Sequence, residues 1–212
     1  MNAHGHSPHR RIPVSVLTGQ PADRPGLVWA AAESDWTAIH RLDVSLAIQP
    51  RTLPDFASEA EWVLRDAPFE RIGAGPVDSA CKALGRLPGA LGRDVAMLAS
   101  RFSRLMDADQ VRIRLEGITS NACRKIHADY TDLRLITTYA GSGTQVLRHG
   151  AEAVEENLWP MRPGWIGLFK GRLFEEGHSA CLHRSPPAGD LGEKRLVLVI
   201  DTPQFSAEGL VA

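Results

Sequence analysis

Near residue 108 the spacing of apolar residues switches from helical to extended, and this switch limits what the chain can become more than any other feature. Leu91, Val95, Leu98, Phe102 and Leu105 recur in steps of three and four, which places them on one stripe of a helix. Val111, Ile113 and Leu115 then alternate with Arg112, Arg114 and Glu116, the pattern of a half-buried strand. Leu133–Tyr139 is β-branched and alternating, and Trp165–Phe169 follows Pro163-Gly164. Ser179–Arg184 is short and stopped by Pro186-Pro187, and Arg195–Asp201 (RLVLVID) is the strongest strand of the chain. These runs, with the strand-forming stretch that carries His127 and Asp129, predict at least six strands after residue 108. No helical pattern separates them, so the sheet is expected to be mainly antiparallel and to close as a sandwich or barrel. The class is α+β.

The first half reads differently. Residues 1–12 are polar and rich in His, with His4, His6 and His9 in a tail expected to be disordered. Residues 13–108 are mixed and mainly helical. Short apolar runs (PVSVLTG, LVWAA, LDVSLAI) precede a helix whose expected N-cap is Asp55. Gly73–Pro76 reads as a break, and Gly85, Pro88 and Gly89 as the division between two helices. The expected organisation is one domain over 13–212, with residues 109–203 forming the barrel and 204–212 a tail; 212 residues suit one packed core better than two. The net charge of −1 gives no basic field for nucleic acid or an anionic membrane. No run approaches the roughly 18 apolar residues of a membrane span. The first residues lack the apolar core of a secretory signal, and Cys81, Cys123 and Cys181 are too few and scattered for a disulfide framework. A cytoplasmic protein is expected.

The residues that carry chemistry lie after position 120. In His127-Ala128-Asp129 both polar side chains share one face of an extended chain. Such a pair is an ion pair, an acid–base unit or two arms of a metal site. The bland reading is a buried ion pair, with Arg134 an equally good partner for Asp129. Downstream come His183 and Arg195. Two imidazoles and a carboxylate from two strands can occupy one face of an octahedral metal and leave the other positions open, the set suited to Fe(II). Arg195 or its neighbour Lys194, depending on register, would offer a cation to a bound carboxylate. Cys181, two residues before His183, is either a small buried hydrophobe or a further ligand. Cys123 and Cys81 read as packing, and His149 and His178 as loop or rim residues. Gly141–Thr144 reads as a hairpin turn, Ser185 lacks the setting of a nucleophile elbow, and Trp159 and Trp165 read as core.

The layout His127-x-Asp129, distal His183 and following Arg195 resembles the Fe(II)/2-oxoglutarate-dependent oxygenase superfamily. The wording KIHADYTDLRLITTYAGSGT, GLFKG and LHRSPP more closely resembles a bacterial family catalogued as domain of unknown function 1826, over most of the chain. The superfamily resemblance implies a double-stranded β-helix (a jelly-roll, cupin-like barrel) with the helical N-terminal half packed on it. It implies His127, Asp129 and His183 as metal ligands, Arg195 as the co-substrate anchor, and Tyr139 and Arg134 as secondary candidates for the carboxylate. The cofactors implied are Fe(II) and 2-oxoglutarate, acting on a small-molecule or protein substrate that the sequence does not name. The alternative is a non-enzymatic zinc-binding protein of metal homeostasis, with Zn(II) alone held by the same triad plus Cys181.

Overall fold

The computed structural model describes residues 25–52 and 57–203. The histidine-rich tail, the C-terminal tail and the Asp55 cap lie outside the described residues. Among the described residues ten strands and four α-helices follow in chain order. The first half holds β1 (Gly26–Trp29), β2 (Val44–Gln49) and β3 (Phe69–Gly75) with α1 (Ala57–Leu64), α2 (Val77–Ala83) and α3 (Gly89–Leu105). The second half holds β4 (Val111–Ile118), β5 (Leu133–Ala140), β6 (Gln145–Leu147), β7 (Leu158–Pro160), β8 (Ile166–Lys170) and β9 (His183–Arg184), then α4 (Ala188–Leu191) and β10 (Arg195–Asp201). Among the described residues no helix is long and apolar enough to cross a membrane.

Seven strands form one large sheet in the order β1-β2-β8-β5-β10-β4-β3, and three form a small sheet in the order β7-β6-β9. Every pair is antiparallel except β1 with β2. After β5 the chain crosses to the small sheet for β6 and β7, returns to the large one for β8, crosses again for β9 and returns for β10. Period-two patterning gives the large sheet two distinct faces. Leu196, Leu198 and Ile200 of β10 pack with Ile113, Leu115, Leu133 and Leu135 against Ala60, Val63, Leu91, Val95, Leu98 and Phe102 of the helices. Val197 and Val199 point the other way and pack with Ile136, Phe169, Val146 and Cys181 between the two sheets. Each fully buried side chain of this size contributes about 1.5–3 kcal/mol through the apolar area taken from water.

Three expectations are corrected. The first half is not simply a helical layer, because β1, β2 and β3 extend the large sheet at both edges. Gly73 is not a break but pairs with Ile113 inside β3. It is glycine because α2 approaches so closely that a Cβ there would meet the Ala80 carbonyl oxygen at 1.9 Å. Gly141–Thr144 is not a hairpin turn, since β5 and β6 belong to different sheets. With Gly141 at φ +77° it carries the chain from one sheet to the other.

Candidate metal centre

The backbone brings His127 and His183 together before any side chain does. The two form an isolated antiparallel bridge, His127 N–H donating to His183 O at 2.9 Å and His183 N–H to His127 O at 2.8 Å. His183 opens β9, so this bridge extends the small sheet beyond β9. Asp129 follows two residues later, where the chain leaves that sheet toward β5. Its backbone is fixed by Arg172 N–H donating to Asp129 O at 2.8 Å. His127, Asp129 and His183 each offer one ligand atom, and these atoms lie within 4.8 Å of one another.

The hydrogen bonds orient both imidazoles alike. His127 Nδ1 lies 2.8 Å from the Lys125 carbonyl oxygen, and His183 Nδ1 lies 3.2 Å from the Cys181 carbonyl oxygen. A carbonyl only accepts, so each Nδ1 carries the proton and donates it, which leaves each Nε2 with its lone pair. Those lone pairs face the carboxylate: His183 Nε2 lies 3.3 Å from Asp129 Oδ2, and His127 Nε2 lies 3.6 Å from Oδ1. Three acceptors converging with no proton between them repel one another, and a cation among them reverses the sign. Without a metal that cation is a proton, and the Asp129 hydrogen bond raises the pKa of His127 despite its partial burial. Burial opposes ionisation of Asp129, yet the two imidazoles and Arg134 together hold its carboxyl far below the ordinary range.

Arg134 is committed to this carboxylate. Its NH1 lies 2.5 Å from Asp129 Oδ1, while its Nε and NH2 donate to Asp201 Oδ1 and Oδ2 at 2.5 and 3.0 Å. Asp201, fully buried at the end of β10, has Arg112 NH1 4.0 Å away on β4. A line of alternating charge therefore runs Arg112–Asp201–Arg134–Asp129 across three strands, and Asp129 Oδ2 is left buried without a hydrogen bond. Asp201 was not singled out from the sequence, although it shares the parity of Arg195 on the strongest strand.

Arg195 lies on the inward face of β10, fully buried, and donates through Nε to Ser142 O at 2.6 Å. Its two terminal nitrogens have no hydrogen-bond partner among the described residues. Burial pushes the guanidinium down to about 10, partly offset by Glu193 and Glu116, so it stays charged at neutral pH. Register settles the choice of cation: the ammonium of Lys194 turns to the Leu64 carbonyl at the end of α1. Tyr139 is not brought to the centre. It sits on the helix-facing side of β5 and donates to Asp94 Oδ2 at 2.7 Å, next to the Arg51–Asp94 ion pair. Cys181 is absent from the three-residue grouping; its thiol, pushed up by burial, packs in the apolar cluster between the sheets. Cys123 is exposed at a turn with φ +55°. His178 faces the carbonyls of Glu175 and Gly171.

The family described as Protein of unknown function (DUF1826) matches residues 80–201. No curated protein matches the chain. Among solved structures, the rice dioxygenase for auxin oxidation aligns with 14% identity and a TM-score of 0.52, covering 84% of this chain and 82% of that one. JOX2, in complex with 2OG, Fe and JA, aligns with 10% identity and a TM-score of 0.50, covering 85% of this chain and 75% of that one. At such identities the likeness is one of fold: a mixed α/β protein with a large β-sheet, similar to the 2-oxoglutarate oxygenases.

Proposed function

We propose that this chain, which belongs to the DUF1826 family, is a metal-dependent oxygenase of the Fe(II)/2-oxoglutarate type built on a double-stranded β-helix. The reading of the barrel is supported by the repeated crossing of the chain between the two sheets from β5 to β10. The observation that carries the function is the pair of Nδ1-anchored imidazoles whose free Nε2 atoms face one carboxylate. Two imidazoles and one carboxylate are the donor set that leaves open positions on iron, and the buried, unpartnered Asp129 Oδ2 fits a metal ligand. Bound there, iron would supply the activation of O2 coupled to oxidative decarboxylation of 2-oxoglutarate. His127 and His183 would hold the metal through Nε2 and Asp129 through Oδ2. Arg134 occupies Oδ1 and so limits Asp129 to a single free oxygen. Arg195, whose terminal nitrogens lack partners inside the barrel, would take the distal carboxylate of 2-oxoglutarate as a bidentate pair. Ile136, Phe169, Val197 and Val199 keep the space between the sheets apolar and exclude water.

Anaerobic titration of the metal-free protein with Fe(II) and then 2-oxoglutarate tests this. The visible band of an Fe(II)–2-oxo acid complex is expected in the wild type and lost in both His127→Ala and Arg195→Met. Iron binding without the band would overturn the oxygenase reading.

A further inference from the structure

Between β1–β2 of the large sheet and β6–β7 of the small one lies a cavity of about 370 Å3. Its place relative to the metal cluster follows from strand register. In the small sheet His183 pairs with His127 on one side and Val146 on the other, and Val146 pairs with Trp159. Residues directly opposite one another across antiparallel strands share a face. His127, His183, Val146 and Trp159 therefore form one row on one face. The first two belong to the metal cluster, and the last two line the cavity. Neighbouring strands lie about 4.8 Å apart, so the cavity wall begins one strand from the metal cluster. Cys181 adds a second link: it lines the cavity, and its carbonyl anchors Nδ1 of His183.

The lining is divided. Leu46, Val146, Trp159 and Cys181 make an apolar interior. At the rim stand Arg148 and His149, which also line an adjoining lobe of about 350 Å3 that reaches Cys181 as well. Among the described residues no carboxylate side chain lines either space, and the Arg148 guanidinium is exposed with no acidic partner. The volume lies at the lower end of the ~300–1,000 Å3 of small-molecule sites and suits a compact small molecule. Apolar depth under a cationic rim selects an occupant with an apolar body and one anionic group.

The geometry points to this cavity as the substrate chamber of the proposed oxygenase, taking a compact apolar carboxylate whose body lies along Val146 and Trp159 and whose charge meets Arg148. The inference rests on the oxygenase reading for the word substrate, but binding itself is measurable without metal. Phenylacetate, 2-naphthoate and octanoate, each beside its neutral amide, are titrated at millimolar concentration into metal-free full-length protein, with tryptophan emission and calorimetry as readouts. At least one carboxylate is expected to bind saturably and more tightly than its amide. Arg148→Glu, a surface change, is expected to weaken that binding about tenfold or more, the worth of one charge-assisted hydrogen bond. The emission change is expected to vanish in Trp159→Phe while the heat of binding remains. These titrations need no metal, so failure of the iron–oxo acid band and failure of the chamber are read separately. Saturable binding of none of the three, equal binding of acid and amide, or indifference to Arg148→Glu overturns the assignment.

Discussion

Arg134→Met would remove the one cation that both Asp129 and Asp201 contact while roughly keeping the volume it fills. Arg134 is 15% exposed at its side chain, and its three short contacts reach carboxylates that are 8% and 0% exposed. With Arg134 gone, Asp201 retains only Arg112 at 4.0 Å. Removing one partner of a buried ion pair typically costs ~3–5 kcal/mol, because the other charge stays buried without compensation. Against a total stability of ~5–15 kcal/mol this is a large fraction. At ~2–4 °C per kcal/mol for a chain of this size, the midpoint of thermal unfolding should fall by ~6–20 °C. Urea unfolding of the metal-free protein measures the loss directly, with an unchanged slope showing that the midpoint shift is one of stability. Adding Asp201→Asn should recover part of the loss, since the stranded charge is its source. Metal affinity should drop ~10–100-fold, as for other groups that orient a ligand. A loss below ~1 kcal/mol, or a double variant no better than the single one, would refute the reasoning and leave Asp129 held by the imidazoles alone.

Tyr139→Phe should cost ~1–3 kcal/mol through the buried Asp94 oxygen it leaves short of a donor, yet leave 2-oxoglutarate affinity unchanged, because the hydroxyl faces the helices. Isothermal titration beside a melting curve checks both halves. Cys181→Ser should destabilise by ~1–3 kcal/mol by placing a hydroxyl in an apolar cluster, while Zn(II) and Fe(II) affinities change by less than about threefold; a loss of orders of magnitude would restore the four-ligand zinc site. Asp129 has a folded pKa below its unfolded one, so its stabilisation is complete above the ordinary carboxylate range and is lost as pH falls through and beneath it; Asp129→Asn should flatten acid unfolding there. His127 has the opposite sign. In metal-free protein its contribution is present below pH ~6.5 and lost as pH rises through its raised folded value, and saturating metal should abolish that slope.

β4, β5, β8 and β10 were legible because they run between two unlike layers, whereas β6 and β7 were too short to read and the strand expected over Ser179–Arg184 is confined to His183–Arg184. Leu196 and Leu198 must meet helices while Val197 and Val199 meet the small sheet, and the alternation records it. β1, β2 and β3 were not legible as sheet. Val44–Gln49 is buried nearly throughout and so shows no period, and the glycines of β3 reflect the close approach of α2 rather than a turn. His127 and Asp129 were legible through spacing, since an i, i+2 pair on extended backbone shares a face, while His183 was reached only through its order in the chain and the superfamily resemblance. The side-chain logic around the triad was not legible. That Arg134 serves Asp129 and Asp201 together, or that Tyr139 turns outward, depends on which sheet face is inward. Sequence fixes parity within a strand but not its origin.

The rung that joins His127 to His183 closes a loop of roughly 56 residues with two backbone hydrogen bonds. Bringing such distant positions together costs about 3.5 kcal/mol in chain entropy beyond a constant term. Here the fold supplies that closure. An ion held by the proposed triad would meet its ligands already gathered, and its loss is expected to leave the two sheets intact. Exchange between one ion and another at the proposed site should then proceed on the timescale of ligand dissociation rather than that of refolding.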